Sequence, residues 1–112
     1  MRIQVKNAGQ NTDRVALQGD LDFHSSPDLR QEFAKLADRK VLRILADLKK
    51  VNYIDSSGLA AFVELFQRMK SYGGTLVLFD LSQAVRSVFE IAKLDSVFRL
   101  ARSEEEALAI IS

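Results

Sequence analysis

Val51-Asn52-Tyr53-Ile54-Asp55-Ser56-Ser57-Gly58-Leu59 joins an apolar run to a stretch of helical periodicity. Upstream, Val41 to Leu48 reads Val-Leu-Arg-Ile-Leu-Ala-Asp-Leu, which suits a strand covered on both faces, and the run breaks at Lys49-Lys50. Downstream, Leu59, Phe62, Val63, Phe66 and Met69 recur at helical spacing and share one face. Asp55 is a favoured N-cap type, which places Ser56 and Ser57 in the first helical turn. Gly58 has no side chain to hide the helix end, so another molecule's backbone or phosphate is expected to approach closely there. A helix start with free N–H donors is also suited to an anion.

Outward from this centre the chain alternates between strand and helix. Ile3 and Val5 alternate with Gln4 and Lys6, and Val15 and Leu17 with Ala16 and Gln18, either side of the turn Asn7–Thr12, which predicts a hairpin. Ser26-Pro27 reads as the N-cap and first residue of a helix that buries Leu29, Phe33, Leu36 and Ala37. Gly73-Gly74 stops the central helix, and Thr75 to Phe79 is a further buried strand. Ser82 caps a third helix with Val85, Val88, Phe89 and Ala92 inward. Val97 to Ala101 is a short strand, and Ser103 to Glu106 is a capping box opening a last helix on Leu108 and Ile111. The order ββαβαβαβα predicts an α/β fold, a mixed sheet with helices packed on it, in one domain spanning residues 1–112.

Composition narrows the function classes. The chain has 47% hydrophobic and 28% charged residues, ordinary globular usage. Its net charge of +1 supplies no field to draw it onto nucleic acid or an anionic membrane. With no cysteine there are no disulfides or thiolate metal sites. No leader or membrane-length apolar segment is evident, which makes the cytoplasm the expected compartment.

Catalysis finds little support. A nucleophile elbow needs G-x-S-x-G, but Ile54 stands two before Ser56 and Asp55 two before Ser57. A phosphate-cradling loop needs several glycines and a lysine before its hydroxyl residue. Asp20, Asp22, Asp47 and Asp55 read as a magnesium cluster only if they converge at one strand edge, and turn carboxylates are the simpler reading. His24, the single histidine, reads as a loop residue. Arg39, Lys40, Arg43, Lys49 and Lys50 read as solvated helix ends and turns without aromatic interleaving. Glu104 to Glu106 complement a helix dipole.

Gly19-Asp20-Leu21-Asp22, Ser26-Pro27-Asp28-Leu29-Arg30, Asp47-Leu48, the central Val51–Leu59 segment and Gly73-Gly74 together resemble the STAS domain of bacterial anti-sigma-factor antagonists. The likeness covers essentially the whole chain, and D-S-S-G after an apolar strand is its most specific part. It implies a regulatory binding protein, not an enzyme, with no cofactor or metal. Ser57, the second serine of D-S-S-G, would be phosphorylated by an anti-sigma factor that is also a serine kinase of the histidine-kinase-like ATPase fold. A PP2C-type phosphatase would remove the phosphate. Asp22, Phe23, His24, Asp55, Ser56, Gly58 and Leu59 would form the partner surface, with no nucleic acid or membrane involved and a monomer when free. A STAS module serving as a structural subunit of a lipid-transport ABC assembly, or of a stressosome-like scaffold, is the other reading. Two departures from the family pattern, Phe23-His24 and Lys93 where relatives often carry glycine, bear on partner specificity.

Overall fold

The computed structural model describes residues 1–111, so residue 112, the last of the expected domain, lies outside the described residues. Five strands and four helices follow the expected order: β1 (Arg2–Asn7), β2 (Thr12–Leu21), α1 (Ser26–Asp38), β3 (Arg43–Ile54), α2 (Ser56–Ser71), β4 (Thr75–Phe79), α3 (Gln83–Ile91), β5 (Arg99–Ala101) and α4 (Glu104–Ile111). The sheet order is β1-β2-β3-β4-β5, with β1 antiparallel to β2 and every other pair parallel. Each parallel strand is added on the same side of the last. Right-handed crossovers therefore put α1, α2 and α3 on one face.

That face holds the main core. Ile44, Ala46 and Leu48 of β3, with Leu76 and Leu78 of β4, meet Leu29, Phe33, Phe62, Leu65, Met69, Val85 and Phe89. The alternate residues Leu45, Val77 and Phe79 point the other way and pack with Ala101 and Ala107 under α4. Alternation along β3 and β4 thus explains both the apolar runs and the two clusters.

Several expectations are corrected. Lys49-Lys50 does not end the central strand: β3 runs through to Ile54 and pairs with β2 alone beyond Asp47. Two shifts of register carry it there. Ala16 and Gln18 of β2 face Asp47 and Lys50 of β3, and Gly19 and Asp20 face Val51 and Tyr53, so β3 bulges twice. The Asp47 carboxylate accepts from the Lys49 N–H at 2.9 Å within the first bulge. Helix α1 begins at Ser26, which is buried, and Ser25 is its N-cap. In α3, Ala92 is the exposed C-cap and not a core residue. In α4, Ala107 is the buried residue, while Leu108 is 44% exposed. The last strand is shorter than expected, with Phe98 buried just before it in a ring cluster with Phe62, Phe66 and Phe89.

Candidate functional site

Helix α2 begins where β3 ends, and one carboxylate organises the junction. Asp55, in extended conformation, accepts through Oδ1 from the N–H of Ser57 at 2.8 Å and of Gly58 at 3.2 Å. Its own N–H donates to the carbonyl of Leu21 at 3.1 Å, tying the junction to the end of β2. The cap changes one expectation. Two donors of the first turn are already satisfied by Asp55, so they are not free for an outside anion.

Gly58 is corrected as well. It is buried, and a Cβ there would lie 2.6 Å from the Leu21 carbonyl oxygen and 2.8 Å from the Ile54 side chain. The glycine lets α2 settle onto β2, and the absent Cβ is needed by the molecule's own packing. Leu59 is also buried, at 8% exposure. Both residues, expected at the partner surface, are therefore buried in the free molecule.

Ser56 is exposed and Ser57 is half-buried. The Ser57 hydroxyl makes no hydrogen bond among the described residues, while no buried side-chain oxygen or nitrogen there lacks a partner. Its oxygen is therefore not sealed inside the core.

The second loop of the site runs from β2 into α1. Asp22 Oδ1 accepts from the N–H groups of His24 at 3.0 Å and Ser25 at 3.1 Å, and Ser25 Oγ accepts in return from the Asp22 N–H at 3.0 Å. The Ser25 N–H above all, then that of His24, holds the Asp22 carboxyl below its ordinary range. Asp22 thus folds the loop, and the loop turns Phe23 and His24 outward. Phe23 is 65% exposed and its ring lies 4.1 Å from that of His24, centroid to centroid.

Leu21 joins the two loops, since its carbonyl receives the Asp55 N–H and its side chain and carbonyl lie under Gly58. Tyr53, paired in register with Asp20, adds an aromatic ring that is 51% exposed. Sequence reading did not single out Tyr53. Val51 and Ile54 both pack into the main core although three residues apart, which the register shift between them permits, and the sequence alone carries no signal of that shift.

Asp20, Asp22, Asp47 and Asp55 do not form a metal site. Among the described residues no group of three or more potential ligands converges. Asp47 instead accepts from Arg14 at 2.8 Å. Arg14 also donates to Glu104 through Nε at 2.8 Å and Nη2 at 3.1 Å, pulling the Glu104 carboxyl below its ordinary range. Glu104 therefore ties α4 to β2, beyond the dipole role expected of it. Among the described residues no helix is long and apolar enough to cross a membrane.

Comparison with known proteins places this geometry in context. The family model described as the STAS domain matches residues 7–107. The anti-sigma-B factor antagonist of Bacillus subtilis is 35% identical over 106 residues, covering 94% of this chain and 94% of that protein. An anti-sigma factor antagonist from Mycobacterium paratuberculosis superposes with a TM-score of 0.88 at 20% identity, over 98% of this chain and 92% of that one. SpoIIAA, a Bacillus cell fate determinant solved in its phosphorylated form, gives a TM-score of 0.78 at 21% identity, over 99% of this chain and 100% of that one. At these identities the two structural likenesses bear on the fold alone.

Proposed function

This chain belongs to the STAS domain family, and from that premise we propose that it is an anti-sigma-factor antagonist switched by phosphorylation at Ser57. Residues 1–112 act as one cytoplasmic domain without a cofactor. The unmodified form binds an anti-sigma factor that doubles as a serine kinase of the histidine-kinase-like ATPase fold, and so releases the sigma factor. A PP2C-type phosphatase restores that form. The observation that carries the reading is the Ser57 hydroxyl, half-buried but not sealed off and without an internal hydrogen bond among the described residues, in the first turn of α2. Partner contact falls on Phe23, His24, Asp55, Ser56 and Ser57, with Asp22, Gly58 and Leu59 setting the shape beneath.

Phosphorylation adds roughly 1.5 to 2 negative charges at neutral pH. The end of the α2 dipole favours an anion by about 0.3–1 kcal/mol, while the Asp55 carboxylate two residues away opposes it. These terms largely offset each other, so the fold survives the modification. An interface closed over Ser57 does not, because burying an uncompensated charge costs about 3–5 kcal/mol, or two to three and a half decades of affinity.

The test captures partners on tagged wild type, Ser57→Ala and Ser57→Asp, then measures binding of the recovered kinase to each, with intact-mass analysis after incubation with ATP. One phosphate on wild type and none on Ser57→Ala, with Ser57→Asp binding at least tenfold more weakly, is expected. A Ser57→Asp variant that binds as tightly as wild type refutes the blocking mechanism. Recovery of an ABC ATPase in place of the kinase refutes the antagonist assignment.

A further inference from the structure

Helix α4 covers β3, β4 and β5, whereas the same face of β1 and β2 carries only polar and small side chains. A cleft of about 190 Å³ lies there. Its lining includes Arg2 and Gln4 of β1, Gln18 of β2, and Lys49 and Lys50 of β3. Arg2, Gln18 and Lys50 lie in one row across three strands, since Arg2 pairs with Gln18 and Gln18 with Lys50.

Two consecutive lysines on one cleft need a cause, because neighbours in a strand point to opposite faces. The first β3 bulge supplies it. Two residues of β2 face three of β3 there, and the freed Lys49 N–H is taken by the Asp47 carboxylate. Leu48 and Val51, on either side, stay fully buried in the main core, so the strand keeps its apolar anchor while both lysines turn out. Bulges re-aim side chains in this way. One carboxylate, that of Asp47, also lines the cleft, and it is held by Arg14, which in turn pairs with Glu104 of α4. Arg2, Lys49 and Lys50 make no ion pair among the described residues.

We propose that this cleft binds a small, multiply charged phosphate-bearing anion, held by Arg2, Lys49 and Lys50 with the Gln4 and Gln18 amides as further donors. An arginine fork beside two ammonium groups suits phosphate oxygens. The cleft has room for a small anion to lie among these side chains. No aromatic residue lines the cleft to stack a nucleobase. The site lies on the sheet face away from α2 and is independent of Ser57.

Sodium pyrophosphate, titrated into the isotopically labelled protein at ionic strength held constant with sodium chloride, is the probe. Saturable amide shifts at Arg2, Gln18, Lys49 and Lys50 are expected, together with roughly tenfold or greater weakening in the Lys49→Gln/Lys50→Gln double variant. Circular dichroism confirms that this variant folds, which two exposed positions allow. Shifts that never saturate, shifts centred on Ser56 to Gly58, or equal affinity in the double variant would each overturn the proposal. Citrate shifting the same amides as strongly would overturn the assignment to phosphate.

Discussion

Replacing Gly58 by alanine tests how closely α2 is seated on β2. On an exposed helix the change is stabilising by about 0.8–1 kcal/mol, through helix propensity alone. Here the new Cβ would sit 2.6 Å from the Leu21 carbonyl oxygen, 2.8 Å from Ile54 Cγ1 and 3.0 Å from Leu21 Cβ. The closest atom is backbone in a paired strand, which cannot rotate away as a flexible side chain can. Helix α2 must lift instead, and overpacking of this kind costs about 1–3 kcal/mol. Lifting also strains the Asp55 cap and the Asp55-to-Leu21 hydrogen bond. The packing cost less the propensity gain leaves up to about 2 kcal/mol, and weakening of the Asp55 cap, worth about 0.5–2 kcal/mol when lost outright, brings the expected net loss to about 1–2 kcal/mol. For 112 residues, an unfolding entropy of about 2.1 cal/mol/K per residue converts this to a fall in Tm of about 4–8 °C. Urea unfolding followed by circular dichroism should show a lower midpoint with an unchanged slope. Amide exchange at Asp55 should quicken. A Gly58→Ala variant as stable as wild type, or more so, refutes the close seating of α2 on Leu21.

Lys93 holds a left-handed backbone, φ +59°, just past the end of α3. Lys93→Gly should therefore raise stability by about 0.5–1 kcal/mol, read as a Tm increase of a few degrees, and a decrease would contradict the strain argument. Glu104 binds its proton more weakly in the folded than in the unfolded state because of Arg14, so its contribution is complete above the ordinary glutamate value of about 4.3 and fades as pH falls through the lower folded-state value. With Glu104 42% exposed, Glu104→Gln should cost less than about 1 kcal/mol at neutral pH, and its gap from wild type should close in urea titrations below about pH 4. Asp22→Ala should speed hydrogen exchange at the His24 and Ser25 amides and weaken partner binding; unchanged exchange would show that the carboxylate does not hold the loop.

The sequence pattern carried most of the fold because burial follows simple periodicity in α1, α2 and β4. Leu29, Phe33, Leu36 and Ala37 are all buried as their spacing requires, and the Asp55 and Ser82 caps form as their residue types suggest. Long-range effects were hidden. Charge made Lys49-Lys50 look like a turn, and only cross-strand register reveals the bulge that lets a strand continue through two lysines. Likewise, a glycine in D-S-S-G reads as an opening toward a partner until the carbonyl beneath it is located. Ala92 and Leu108 fit a helical stripe by spacing, but Ala92 is the C-cap past the end of α3, and in α4 it is Ala107, one position earlier, that is buried.

Leu21 gives the two loops a common mounting. Its carbonyl anchors the Asp55 N–H, its bulk supports Gly58, and the residue after it starts the turn that presents Phe23. Whatever grips the aromatic ring on one side and whatever touches the serine on the other are therefore pulling on a single handle. The stretch that joins the aromatic ring to the serine is thus short, from Phe23 through Asp22 and Leu21 to the Asp55 cap.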